Sequence, residues 1–140
     1  MEPYEKIYLY KRIAHAKLFI DSHYAEKIDL NSIADEACFS KFHFIRLFRD
    51  SYGYTPHTYL MKVRIERAKL LLHENVPVSD VSMAVGFEST TSFAGRFKQL
   101  VGQTPSAFQK AQKKRKSDII QTPHSFVPNC FINTYRWFGE

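Results

Sequence analysis

Ser40 to Asp50 reads SKFHFIRLFRD, and the fold follows from how that stretch is placed. As a helix capped by Ser40, it sets Phe44, Leu47, Phe48 and Ser51 on one face at the spacing of a buried stripe. The other face then carries Lys41, Phe42, Ile45, Arg46 and Arg49. A solvated helix face is normally filled with lysine, glutamate and glutamine. This one mixes two large apolar side chains with basic ones and has no acid before Asp50. Basic groups suit phosphates and guanine edges, and apolar groups suit thymine methyls. The alternative is a second buried face, with Phe42 and Ile45 packed under a neighbouring segment.

The flanking sequence is helical in character. The 140 residues include only five glycines, none in a phosphate-binding arrangement, and few β-branched alternations. Tyr4 to Tyr24 reads as a first helix with Leu9, Ile13, Ala16 and Ile20 as its stripe and a charged opposite face. Asn31 is expected to cap a short second helix through Ala37, with Leu30, Ile33, Ala34 and Ala37 inward. Cys38-Phe39-Ser40 turns the chain into the stretch quoted above, and two helices joined so tightly make a helix-turn-helix. Gly53 ends the second of them. Thr55 and Pro56 restart the chain as N-cap and first helical residue. The helix they start reaches His73 or Glu74, about 28 Å of rod, before Pro77.

The segment after Pro77 repeats the one before it. Ser79 is expected to cap a short helix as Asn31 does, with Val81, Ser82 and Val85 standing 48 residues after Ile33, Ala34 and Ala37. The turn Gly86-Phe87-Glu88-Ser89 is one residue longer. Ser89, Phe93, Phe97, Lys98, Gly102, Thr104 and Pro105 then follow Ser40, Phe44, Phe48, Arg49, Gly53, Thr55 and Pro56 at an offset of 49. So many coincidences at one spacing mark an internal repeat. A duplicated helix-turn-helix favours Phe42 and Ile45 as reading residues over core, because the N-terminal, non-stripe positions of the second helix project from such a unit. A rod of about 28 Å would hold two such helices roughly one DNA turn, about 34 Å, apart.

These residues resemble the DNA-binding domain of the AraC/XylS transcription regulators from about Ile13 to Phe108. The first unit has the spaced pattern Ala34, Ala37, Ser40, His43-Phe44, Arg46, Phe48-Arg49. Arg64-Ile65-Glu66-Arg67-Ala68-Lys69-Leu70-Leu71 is similar to the family's connecting helix. The second unit has V-G-F-x-S from Val85 to Ser89, then Phe93, Phe97-Lys98 and G-x-T-P-S at Gly102 to Ser106. The resemblance implies an all-α, seven-helix fold. Its expected parts are a helix-turn-helix subdomain at 1–55, a linker helix at 56–76, a second subdomain at 77–116 and a short aromatic C-terminal extension at 117–140. It implies sequence-specific binding of double-stranded promoter DNA, usually as an activator contacting RNA polymerase. Carried over position by position, Lys41, Phe42, Ile45 and Arg46 face bases in the first unit, and Thr90, Thr91, Ala94 and Gly95 occupy the reading positions of the second. Ser40, Arg49, Ser89, Arg96 and Lys98 fall to phosphates. The second unit departs from the family at Gly95, where an arginine matching Arg46 is usual; Arg96 is displaced by one position, about 100° around the helix. That unit is expected either to position the protein with little discrimination or to admit the DNA backbone closely.

Composition agrees with this class. The formal charge of +6 points to a polyanion. No apolar run approaches a membrane span, and Met1 to Arg12 lacks the apolar region of a signal peptide, so a cytoplasmic protein is expected. Cys38 and Cys130 show no metal-ligand spacing. The scattered histidines include no HExxH or paired ligand spacing, and His43 and His57 read as surface or phosphate-contacting groups rather than catalytic ones. No cofactor and no enzymatic activity are expected. The competing class is a degenerate repeat that binds polymerase or another regulator without reading DNA. Lys110 to Lys116 (KAQKKRK) reads either as a solvated helix end or as a phosphate-contacting tail. Phe126, Phe131, Tyr135, Trp137 and Phe138 make the last segment too apolar for a disordered tail, and FINTYRWF there resembles a strand. It is expected to fold back near the first helix, to pair with another copy or to begin a larger domain. With no room for a sensing domain before residue 13, a stand-alone regulator controlled by its abundance is expected.

Overall fold

Two clusters of buried side chains lie along one helix, α4, Pro56–His73. The computed structural model describes residues 3–36 and 40–121. Before α4 come α1 (Pro3–His23), α2 (Leu30–Glu36) and α3 (Lys41–Tyr52); after it come α5 (Val78–Ala84), α6 (Thr90–Val101) and α7 (Pro105–Gln121). Among the described residues there is no strand.

The first cluster joins Ile13, Ala16 and Ile20 of α1, Ala34 of α2, Phe44 and Phe48 of α3, and Leu60 and Met61 of α4. The second joins Ile65, Ala68 and Leu72 of α4 to Val81, Val85, Phe93 and Phe97. α4 therefore gives its first half to one core and its second half to the other. Full burial of a residue such as Phe44 or Phe93 stabilises the fold by about 1.5–3 kcal/mol relative to leaving it exposed.

The offset seen in the sequence holds in the helices. α2 and α5 begin and end 48 residues apart, and α3 and α6 begin and end 49 apart. α3 and α6 each close on a left-handed glycine, Gly53 and Gly102, whose N–H donates to Arg49 O at 2.8 Å and Lys98 O at 2.9 Å. At the start of α4, Thr55 Oγ1 accepts from the Thr58 N–H, with Pro56 just inside, as expected.

Two expected caps are corrected. Asp29, not Asn31, starts α2: its carboxylate accepts from the Asn31 N–H at 3.0 Å. Pro77, not Ser79, precedes α5, with no side-chain cap bond; Ser79 lies inside the helix and its carbonyl accepts from Ser82 Oγ at 2.7 Å. Proline there supplies the extended φ/ψ of a cap without a side-chain acceptor (φ −57°, ψ 144°). The outer face of α1 is not simply charged, since Ile7, Tyr8, Tyr10, Leu18 and Phe19 are exposed on it. Ser51 is exposed, so the buried stripe of α3 narrows to Phe44 and Phe48, with Leu47 half-buried.

α7 packs on α4 and α6. Phe108 meets Phe97 edge-on at 5.4 Å, Gln109 Nε2 donates to Val76 O at 2.7 Å, and the Lys116 ammonium donates to the His73 carbonyl at the end of α4. A cation there also complements the helix dipole. The basic run Lys110 to Lys116 is thus helical, and the helix continues to Gln121. The expectations for Ala37, Cys38, Phe39, Cys130 and the aromatic segment beyond Gln121 lie outside the described residues.

Candidate nucleic-acid interface

α3 forms where the sequence places it because Ser40 is extended (φ −64°, ψ 148°) and its Oγ accepts from the His43 N–H at 3.2 Å. Its inner face is pinned by rings: Phe48 lies 5.0 Å from Tyr52 and 5.7 Å from Tyr59 between centroids. With that face fixed, the helix period leaves Lys41, Phe42, Arg46 and Arg49 exposed. Phe42 is 80% exposed, which excludes the buried-face alternative for it. Ile45 is half-buried. With Lys41 and Phe44 it lines a groove of about 510 Å³ whose other walls include Asp29, Leu30, Thr55, Pro56 and His57. His57 is exposed on that groove.

Ion pairs among the described residues include Lys17 with Asp21 and Lys69 with Glu66. Among the described residues, Arg46 pairs with no acid, Asp50 one turn on included, and neither does Arg49. Lys41, Arg46 and Arg49, without an acidic partner among the described residues, share one helical face with an exposed phenylalanine. Such a face can give bidentate hydrogen bonds to planar acceptors and apolar contact to methyl groups.

α6 is built the same way and presents a different surface. Ser89 is extended, its Oγ accepts from the Ser92 N–H at 3.1 Å, and Phe93 and Phe97 are buried. Thr90, Thr91 and Gly95 are exposed and Ala94 is half-buried. The Thr90 hydroxyl lies 3.3 Å from that of Ser82, so part of its bonding capacity turns toward α5. Nothing lies within 4 Å of where a Cβ at Gly95 would stand; packing does not demand a glycine there. Arg96 is half-buried and its Nη1 donates to Gln99 at 3.1 Å, so it points along the helix flank rather than filling the space at Gly95. Lys98 is exposed. The structure thus groups Lys41, Phe42, Arg46 and Arg49 on one face with Ile45 beside them, and leaves the second face low, with Lys98, the counterpart of Arg49, as its cation.

One residue that the sequence places in the connecting helix without a role of its own organises the space between the units. Arg64 of α4 is only 7% exposed. Its Nε donates to Tyr24 O at 2.6 Å and its Nη2 to Glu26 O at 2.9 Å, while burial lowers its pKa from the ordinary arginine value. The available signal was its register: Leu60, Met61, Arg64, Ile65, Ala68 and Leu72 form the buried stripe of α4, and a charge on such a stripe requires buried acceptors.

Two matched helix-turn-helix units on a shared helix define a class, and comparison with known proteins places the chain in it. A family model described as a helix-turn-helix domain matches residues 33–111, more than half of the chain. The chain belongs to the AraC-type helix-turn-helix family of transcription regulators. The HTH-type transcriptional activator AarP of Providencia stuartii is 33% identical over 98 residues, which is 69% of this chain and 73% of that protein. The probable transcriptional regulator LumQ of Photobacterium leiognathi is 34% identical over 92 residues, 65% of this chain and 37% of LumQ. Three curated relatives, LumQ among them, are spanned over only 32–47% of their length. The DNA-binding domain of AdpA, solved in complex with a target DNA, is similar with a TM-score of 0.71 and 28% identity, over 75% of this chain and 96% of that one. Among the described residues, no helix is long and apolar enough to cross a membrane.

Proposed function

We propose that the chain is a sequence-specific regulator that lays α3 and α6 into successive major-groove segments of double-stranded DNA. The exposed Phe42, set among Lys41, Arg46 and Arg49 on a helix whose other face is locked by buried rings, carries this reading. In it Lys41, Phe42, Ile45 and Arg46 meet base edges of the first half-site, with Arg46 bidentate to guanine. Thr90, Thr91, Ala94 and Gly95 meet the second. Ser40, Arg49, Ser89, Arg96 and Lys98 sit on phosphates, with the capped helix ends of α3 and α6 adding their dipoles. The low face of α6 gives that half-site less discrimination. The similarity to AarP, a transcriptional activator, supports activation, exerted in the cytoplasm by contact with RNA polymerase.

The test is selection of bound duplexes from a random pool, repeated with Arg46→Ala. Loss of preference at one base-pair position is the expected result, and a uniform fall across all sequences would move Arg46 to the phosphate set. A chain that enriches no duplex, and whose weak DNA binding is indifferent to salt, would overturn the reading.

A further inference from the structure

Among the described residues, the two units also meet beside α4. No helix of the first unit packs extensively against a helix of the second; the described residues instead bring the loop after α1 against the turn between α5 and α6. Three segments converge there. The Tyr24 and Glu26 carbonyls lie past the end of α1, where the helix no longer supplies N–H partners, and both accept from Arg64. Gly86, at φ +93°, lies so close that an added Cβ would stand 2.8 Å from Ala25 O and 3.0 Å from Tyr24 O. The Phe87 ring faces the Arg64 guanidinium at 5.7 Å, and Arg67 lies over the Tyr24 ring at 5.6 Å. Tyr24 and Phe87 are the side chains that pack against both cores.

A cross-brace of this kind does what the shared helix cannot. Each core grips its own half of α4, and beside that helix Tyr24 and Phe87, which pack on both cores, and Gly86 tie one unit to the other. A roll of the first unit would pull the Tyr24 and Glu26 carbonyls away from a buried guanidinium, which has no solvent to replace them, and a roll of the second would part the Phe87 ring from that guanidinium and Gly86 from the Ala25 carbonyl. Hydrogen bonds to a charged group are the strong and directional ones. Gly86 lets the turn approach closely enough for the brace to close.

We propose that Arg64 and Gly86 are positioning residues that hold the two units at one fixed offset, so that the chain accepts only duplexes whose half-sites have one spacing. This rests on the DNA-reading function above and adds a ruler to it. One inserted base pair moves a half-site by about 3.4 Å and rotates it by about 35°, a displacement that a braced pair cannot follow and a loosened pair can.

The test uses the full chain with Arg64→Met, which keeps an unbranched apolar stem and removes both donors, and Arg64→Lys, which keeps the charge on a single donor group. Gly86→Ala is the weaker choice, because its φ strains the turn whatever the contact. A duplex enriched by the wild-type chain is rebuilt with one or two base pairs inserted or removed between the half-sites. Residual dipolar couplings from each unit, measured without DNA, report whether the two share one alignment tensor. The wild-type chain is expected to share one tensor and to lose affinity about tenfold or more for one inserted base pair. Arg64→Met, with each unit still folded by its own amide spectrum, is expected to need two tensors and to lose less than about threefold on insertion; Arg64→Lys falls between. If Arg64→Met does not fold, Arg64→Lys alone carries the comparison. A folded variant that keeps one tensor, or whose spacing profile parallels the wild type, overturns the ruler and leaves the DNA-reading function standing. A wild-type chain that enriches no duplex removes that function and the spacing claim with it.

Discussion

The Tyr59 hydroxyl of α4 donates to the Asp21 carboxylate of α1, which also holds the Lys17 ammonium at 2.9 Å. Lys17 lies over the Tyr52 and Tyr59 rings at 5.9 and 5.6 Å. This cluster backs α3, because Phe48 packs on both of those rings. It fixes the side of α3 opposite to its exposed face.

Removing that hydroxyl tests the link. The Asp21 hydrogen bond raises the Lys17 pKa above 10.5, and burial followed by the bond to Asp21 raises that of Tyr59 above 10.0. For both groups the folded value exceeds the unfolded one, so their stabilisation is complete below about pH 10 and is lost as pH rises through the raised values. Tyr59→Phe is expected to cost about 1 kcal/mol at neutral pH. The gap between variant and wild type should close in urea unfolding curves taken from pH 9 to pH 11. A gap that stays constant across that range would place the cost in packing.

Phe42 and Phe44 are two residues apart and should behave oppositely. Phe44 is 1% exposed, and Phe44→Ala should cost about 3–5 kcal/mol of folding stability. Phe42→Ala should leave stability within about 0.5 kcal/mol while weakening DNA binding about tenfold. Thermal unfolding and a binding titration on the same two variants read both quantities.

Gly95 sits in open space, so filling it should help. Gly95→Ala is expected to stabilise α6 by about 0.5–1 kcal/mol, the difference in helix propensity. Gly95→Arg should add a donor where the family usually has one, tightening binding and adding preference at one position of the second half-site. Loss of binding with Gly95→Arg would mean that the DNA backbone approaches too closely there for any side chain.

Salt separates the two kinds of basic residue. Binding is expected to fall steeply with ionic strength, and Arg49→Ala should reduce the slope of log K against log salt by about 0.9, one phosphate's share. Arg46→Ala should change base preference instead. Equal slopes for wild type and Arg49→Ala would remove Arg49 from the phosphate set.

Features set by near neighbours along the chain were legible before any coordinates. The Ser40, Thr55 and Ser89 caps, the Gly53 and Gly102 stops, the Phe44–Phe48 and Phe93–Phe97 pairs and the repeat depend on groups within a few residues of one another. Cap chemistry and the 3.6-residue period need nothing further. The misplaced caps had the same local origin: Asp29 and Asn31 can both cap a helix, and two residues of difference are invisible to composition. What depended on distant groups was hidden. That Arg64 is buried follows from carbonyls about forty positions away, at Tyr24 and Glu26. Gly86 could be read as a turn residue, but its contact with Ala25 could not, because that distance is set by two cores closing on one helix. Phe42 was ambiguous for the same reason. Its place on the helix face follows from period alone, whereas its exposure depends on whether another segment covers it.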